Sequence, residues 1–322
     1  MKAYVVESWC EPKDLKFQEI KDPIPKQGEV LIEIKAAGVN FPDRLLMEGK
    51  YQERPTRPFI PGIEVSGVVI ALGEGVTNHK VGDRVIALCW LGGYAEKVAV
   101  PEKDVYPMPA SMNFEEGAGF IVTYQSSYFA VVERGHLKPS ETLLVHSGAG
   151  GIGTSAIQIG KAIGAKIYAT VGSEEKVEIA KRAGAELVLN YHDATWSKKI
   201  RKEYGGVDVV VDPVGGDVFG KSILCTNFEG RIVVVGFTSG VIPKIATNLL
   251  LLNNISLSGL YWNLYQRNFP MRIKSAVEQL NQWYMEGKLK PIVYKTYPLV
   301  EAPQALINVT TRKSFGKSIL IP

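Results

Sequence analysis

The stretch "LLVHSGAGGIGTSAIQIGKAIGAKIYATVGSEEK", residues 143–176, decides the fold of this chain. A short apolar strand runs through Gly148, Gly150 and Gly153 into a helical pattern, and a second apolar run follows that ends without Asp or Glu. Ile152, Ala156, Ile159 and Ile163 fall on one face of the helix, which Gly164 ends. Glycines at this spacing between a strand and a helix form the fingerprint that holds a dinucleotide. The first permits the tight turn, the second lets the backbone approach the pyrophosphate, and the third lets helix and sheet pack closely. The helix N-terminus adds unpaired amides and the positive end of its dipole. A glycine turn without a ligand is the bland alternative, and the strand and helix on either side argue against it. The sequence therefore assigns a phosphate-bearing cofactor to Gly148, Ala149, Gly150, Gly151, Ile152 and Gly153.

The missing acid bears on which cofactor. An NAD site places Asp or Glu at the end of the second strand to take the ribose 2′-hydroxyl, whereas this one ends at Gly172 and Ser173, leaving room for a 2′-phosphate. Ser173 is placed to cap the next helix, with Lys176 in its first turn to supply charge. Glu174 and Glu175 stand close by with the opposite sign, as acids favoured by the helix dipole. A solvated surface lysine fits Lys176 equally well, and spacing leaves both readings open.

Outward from this unit, strand and helix patterns alternate, with strands expected at 142–147, 166–171, 187–191, 207–212, 231–236 and 255–260. Apolar strands separated by helices mean a parallel sheet with helices on both faces. Before residue 118 the pattern is different: short strand-like runs such as "GEVLIEIKAAGV", "EVSGVVIALG" and "GDRVIAL" are broken by prolines and glycines, as in an irregular, mostly β domain. After residue 262 come a helix, the run "LKPIVYKTYPL", a short helix and a final strand "KSILIP". The expected division is a domain of residues 1–117 with 263–322 and a dinucleotide-binding domain of residues 118–262.

With 322 residues, 46% hydrophobic and 22% charged, the chain is large enough for two separate cores. A net charge of +4 without a lysine-rich, aromatic-interleaved block argues against nucleic acid as a partner. The most apolar segment, "NLLLLNNISLSGLYW", is too polar to span a bilayer, and the N-terminus lacks the pattern of a secretory signal. Three scattered cysteines, Cys10, Cys89 and Cys225, fit a reducing compartment, so a cytoplasmic location is expected.

Along almost its whole length the sequence resembles the medium-chain dehydrogenase/reductase superfamily and, within it, the zinc-less quinone oxidoreductases. The resemblance is carried by "AAGVNFPDRLLMEGKY", "PFIPGIEVSGVV", "VGDRV", "GGYAEKVAVP", "IVTYQSSYFAVVER", "SGAGGIG", "GAKIYATVGSEEK", "LNY" and "SILIP". It implies an α/β fold: a GroES-like, partly open β-barrel domain beside a doubly wound six-stranded Rossmann domain, with the active cleft between them. It further implies a homodimer joined through the strand near 255–260, and NADPH as the cofactor, with Lys176, Tyr191 and Arg312 at positions that hold its 2′-phosphate.

The zinc alcohol dehydrogenases of this superfamily carry Cys and His where this chain has Asn40 and Ile63, and no cysteine lies between Cys89 and Cys225. Neither a catalytic nor a structural zinc set is available. Glu64 survives the family pattern, with a buried pairing role as plausible as chemistry. His146 reads as a buried histidine beside the glycine turn. Without a metal, the acceptor must itself be electrophilic, such as a quinone or enone. Asn40 offers amide donors and Tyr51 a phenolic donor to its carbonyl, and by the resemblance Thr123 lines the nicotinamide side. An ordinary loop asparagine, a half-buried tyrosine and a helix-start threonine are the plain alternatives. An enoyl-thioester reductase and a non-catalytic NADPH-binding module are the competing functions.

Overall fold

The computed structural model describes all residues, Met1–Pro322, and the chain divides into two compact units. One is Met1–Val122 with Pro291–Pro322; the other is Thr123–Lys290.

The first unit is mostly β. It contains β1 (Lys2–Val5), β2 (Lys16–Glu19), β3 (Glu29–Val39), α1 (Phe41–Met47), β4 (Glu64–Leu72), β5 (Arg84–Leu88), β6 (Lys97–Pro101), β7 (Val105–Pro107) and α2 (Phe114–Ala118). A helix α3 (Ile121–Tyr128) carries the chain into the second unit. The long strand β3 organises this unit, because it pairs antiparallel with both β4 and β6. Alternate residues Val30, Ile32 and Ile34 of β3 turn inward to a core that includes Val65, Val69, Val85, Tyr94 and Leu306.

The second unit is a doubly wound sheet. Its strands are β8 (Thr142–His146), β9 (Lys166–Val171), β10 (Leu187–Asn190), β11 (Val207–Asp212), β12 (Thr226–Val234) and β13 (Ser256–Gly259). The crossover helices are α4 (Gly151–Ile163), α5 (Val177–Ala183), α6 (Trp196–Glu203), α7 (Gly216–Ser222) and α8 (Asn248–Asn253). All pairings are parallel and the order is β10-β9-β8-β11-β12-β13. The chain steps outward from β8 to β10, jumps back across β8 to β11 and steps outward the other way. Right-handed crossovers then place the helices of the two halves on opposite faces, and the strand order reverses between β8 and β11.

The expected strands are present, and every end but one lies within two residues of its expected position. The exception is β12, which starts at Thr226 and passes through an irregular register with Glu229 at φ 59° before its apolar run. Polar Asn227 and Glu229 hide that first part from a hydrophobicity pattern.

The expected domain boundary needs correction. Helices α9 (Trp262–Asn268) and α10 (Pro270–Met285), expected with the mostly β domain, belong to the second unit. They pack on the π-helical segment Phe129–Arg134 and the residue before it: Phe129 meets Tyr265 at 4.6 Å between centroids and Tyr128 meets Trp283 at 6.1 Å, while Arg272 is ion-paired with Glu133. Only the last part of the tail returns, as β14 (Val293–Pro298), α11 (Ala302–Thr310) and β15 (Lys317–Ile321). Strand β15 pairs parallel with β14 and antiparallel with β3, opposite Ala37, Gly38 and Val39. No helix is long and apolar enough to cross a membrane.

Candidate functional site

In the second unit, the glycine turn is built as its sequence requires. Gly150 is the N-cap of α4, its carbonyl accepting from Thr154 N–H at 2.8 Å, and its own N–H donates to Ser147 O at 2.8 Å. A Cβ on Gly153 would lie 2.7 Å from Gly148 Cα, so only glycine lets the helix start this close to the turn. A Cβ on Gly150 would lie 3.3 Å from both Ser147 O and Ser147 Oγ, a tight fit, and Gly150 itself is half-buried at the helix N-terminus. The left-handed residue of the turn is Ser147, at φ 53°, rather than a glycine.

At the end of β9, Tyr191 N–H donates to Val171 O at 3.0 Å, and the tyrosine ring is laid against Gly172: a Cβ there would sit 2.9 Å from Tyr191 Cζ. Gly172, Ser173 and Tyr191 are thus brought together, with half-buried Lys176 three residues on and Glu174 and Glu175 exposed. Arg312 lies in the other unit, exposed, at φ 61° just after α11.

Beneath the turn, His146 is fully buried. Its Nδ1 is 2.7 Å from Thr170 Oγ1 and its Nε2 2.7 Å from Ser222 Oγ. Burial pulls the imidazole down to about 4, against the opposing charge of Asp212. It is a neutral, satisfied core histidine, as its place in the sequence suggested.

The first unit holds a closed polar network that sequence reasoning largely missed. The Lys317 ammonium donates to Glu64 Oε1 at 2.6 Å, to Asn40 Oδ1 at 2.7 Å and to Val39 O at 3.2 Å, using all three of its protons. Glu64 also accepts from Asn40 Nδ2 at 2.9 Å and, through Oε2, from Val122 N–H at 2.9 Å. Glu64 is 0% exposed and Lys317 4%. Asn40 opens α1, where its N–H donates to Asp43 Oδ2 at 2.7 Å; Tyr94 OH donates to the same oxygen at 2.8 Å. Burial pushes the Asp43 carboxyl up to about 7, although those two donors and the Lys317 charge pull it down. Its other oxygen is buried with no hydrogen-bond partner.

This arrangement changes the reading of Asn40. The sequence suggested amide donors offered to an acceptor carbonyl, but Asn40 is buried, its Oδ1 is taken by Lys317, and its Nδ2 by Glu64 and by Gly38 O at 3.3 Å. Tyr51 follows α1, its N–H donating to Leu45 O at 3.1 Å and its half-buried ring 5.9 Å from that of Trp90. Thr123 is buried in α3 of the second unit. Nothing in the sequence announced Lys317, since a lysine heading an apolar strand reads as a charge at a solvated strand end.

Residues 26–110 match the family described as alcohol dehydrogenase GroES-like domain, and residues 151–281 the one described as zinc-binding dehydrogenase. The quinone oxidoreductase-like protein 2 of Bos taurus is 39% identical over 312 residues, which cover 96% of this chain and 89% of that protein. The quinone oxidoreductase of Sus scrofa is 32% identical, over 100% of this chain and 98% of its own length. Among solved structures, the Escherichia coli quinone oxidoreductase complexed with NADPH superposes with a TM-score of 0.92 at 30% identity, covering 100% of both chains.

Proposed function

Because the chain belongs to the quinone oxidoreductase family of the medium-chain dehydrogenase/reductase superfamily, we propose that it reduces quinones or related conjugated carbonyl acceptors with NADPH and without zinc. Oxidoreductase chemistry and the NADPH cofactor come with the family. The acceptor class and the independence from metal are our reading.

The observation that carries it is the pair of ends in the second unit: the glycine turn with Gly150 as the N-cap of α4, and a β9 terminus free of carboxylate with Tyr191 against Gly172. These fit the cofactor's pyrophosphate and 2′-phosphate. The turn Gly148, Ala149, Gly150, Gly151, Ile152 and Gly153 would hold the first, and Ser173, Lys176, Tyr191 and Arg312 the second. When bound, NADPH supplies a hydride, so the protein's work is to orient the partners and exclude water. In this reading Tyr51 donates a hydrogen bond to the acceptor carbonyl and Thr123 lines the nicotinamide side. Asn40 serves through the network: locked by Lys317 and Glu64, it fixes the start of α1 and so the segment that carries Tyr51.

Metal independence rests on donor chemistry. Zinc in the related dehydrogenases needs the positions occupied here by Asn40 and Ile63, an already saturated amide and a hydrocarbon, next to a carboxylate satisfied by an ammonium. Elemental analysis of the purified protein is expected to find well under one zinc per chain; a stoichiometric, chelator-resistant zinc needed for turnover would overturn this part.

The acceptor class is tested by following NADPH oxidation with quinones, enones and enoyl thioesters side by side. Quinones should turn over. A quinone gains aromaticity on reduction, so Tyr51→Phe should lower kcat by no more than about tenfold, the loss of a positioning hydrogen bond. An enoyl thioester develops an enolate oxygen, whose donor is typically worth about a hundred- to a thousandfold. Wild type that ignores quinones, reduces enoyl thioesters and loses that activity in Tyr51→Phe would move the assignment to the enoyl reductases.

We also propose a homodimer formed along β13. This strand is the unpaired edge of the six-stranded sheet, and Ile242, Leu251 and Leu252, on the segment leading to it, are 71%, 73% and 68% exposed. Light scattering should give twice the chain mass, and a Leu251→Glu/Leu252→Glu variant half of that; a monomeric wild type removes the proposal.

A further inference from the structure

The second unit begins at Thr123 and ends at Lys290, and its helix α4 holds both ends. The side chain of Gln158 is the junction. Its Oε1 accepts from Tyr124 OH at 2.7 Å and from Lys290 N–H at 2.8 Å, and its Nε2 donates to Lys290 O at 2.9 Å. The amide therefore grips the backbone of Lys290 from both sides, as a neighbouring strand would, while holding the residue that follows Thr123. One turn nearer the glycine turn, Ser155 Oγ lies 3.1 Å from Thr123 O and 2.6 Å from Ser127 Oγ, and Ser127 Oγ reaches Ile152 O at 3.1 Å. Ile152, Ser155 and Gln158 recur at a spacing of three and so form one stripe of α4. They meet Ser127, then Thr123 and Tyr124, so the two helices run antiparallel along a seam of hydrogen bonds.

The seam is buried and polar. Tyr124, Ser127, Ser155 and Gln158 are all buried. Apolar side chains alone would hold α3 against α4 equally firmly, since hydrophobic contact is non-directional, but they would tolerate a sliding of one helix along the other. Directional bonds in a buried interface do not, because a slip leaves donors and acceptors unpaired.

We propose that Gln158, supported by Ser155, is a positioning residue of the reductase. It registers Thr123, at one end of the unit, and Lys290, at the other, against the helix whose N-terminus takes the dinucleotide phosphates. This rests on the NADPH-dependent reductase reading above. The same helix then binds the cofactor at one end and, two turns on, sets the two points through which the chain enters and leaves the cofactor unit. Cofactor affinity is left to the turn, and the seam governs how well the bound cofactor is aligned for hydride transfer.

The test uses the full-length protein with Gln158→Leu, Tyr124→Phe and the conservative Gln158→Glu. The last keeps an oxygen for Tyr124 OH and Lys290 N–H but sets a carboxyl oxygen against Lys290 O, a contact it satisfies only when protonated. In Gln158→Leu, the Kd for NADPH by fluorescence titration should stay within about twofold, whereas kcat for whichever acceptor wild type reduces should fall about tenfold or more. The primary isotope effect with NADPH deuterated at the transferred position should rise, because misalignment slows the chemical step. Gln158→Glu should recover part of the rate, and Tyr124→Phe should show a smaller loss with the same split. Parallel loss of NADPH affinity and kcat in both Gln158→Leu and Tyr124→Phe, or wild-type kcat and isotope effect in Gln158→Leu, overturns the proposal. If wild type reduces no acceptor, the reductase reading fails by itself. The register is then judged by hydrogen exchange: loss of protection at the Lys290 amide in Gln158→Leu supports it, and wild-type protection overturns it.

Discussion

Lys317→Met is expected to lower the stability of the protein by about 3–5 kcal/mol, the cost of removing one partner from a buried ion pair. The Glu64 carboxylate would remain fully buried with only Asn40 Nδ2 and Val122 N–H as donors, and Asn40 Oδ1 would lose its partner. The loss comes from the stranded charge more than from the attraction it forgoes. A second substitution should therefore repair much of it. In Lys317→Met/Glu64→Gln the buried ion pair is gone, the new amide can still accept from Val122 N–H, and its nitrogen can donate to Asn40 Oδ1 once the Asn40 amide turns over, because Asn40 Nδ2 faces that atom in wild type. Denaturant unfolding should show the double variant recovering about half or more of the lost stability, a non-additivity typical of groups in contact. If the single variant loses less than about 1 kcal/mol, as a solvent-screened pair would, the network is not the closed unit described here.

Removing Lys176 or Arg312 is expected to weaken NADPH binding by roughly ten- to a hundredfold, the equivalent of one charge-assisted hydrogen bond of about 1.5–3 kcal/mol. NADH, which lacks the 2′-phosphate, should bind each variant nearly as it binds wild type. The complementary change is Ser173→Asp, which restores an acid at the end of β9 and should shift preference towards NADH by favouring a ribose hydroxyl and repelling a phosphate. Titration of both dinucleotides against the three variants decides the matter. Equal losses for both cofactors, or a wild type that prefers NADH, would show that no phosphate pocket exists there, and Glu174 and Glu175 would then be the groups that set the local charge.

The cofactor unit was legible in the sequence because its signals are local. Glycine spacing, the apolar run Leu143–Val145 and the helix that follows the turn all lie within about thirty consecutive residues, and each follows from the geometry of one βαβ unit, although α4 is buried along the whole of Gly153–Gly160 rather than on one face only. The missing carboxylate after β9 is local in the same way, whereas the pairing role considered for Glu64 came only through the family pattern. What the sequence determined on its own was thus the parallel sheet, its glycine turn and the family resemblance. Only the tertiary structure decided where buried polar groups find partners. Lys317 meets Glu64 across 253 positions and Asn40 across 277, and Gln158 meets Lys290 across 132. No periodicity links such positions, and a lysine or glutamine taken alone favours water. Each can be buried because the fold supplies a complete set of hydrogen-bond partners, and that completeness belongs to the packed chain rather than to any segment of it. The same reason moved α9 and α10 into the cofactor unit: their aromatic faces are matched by Tyr128 and Phe129, a complementarity that appears only once both surfaces exist.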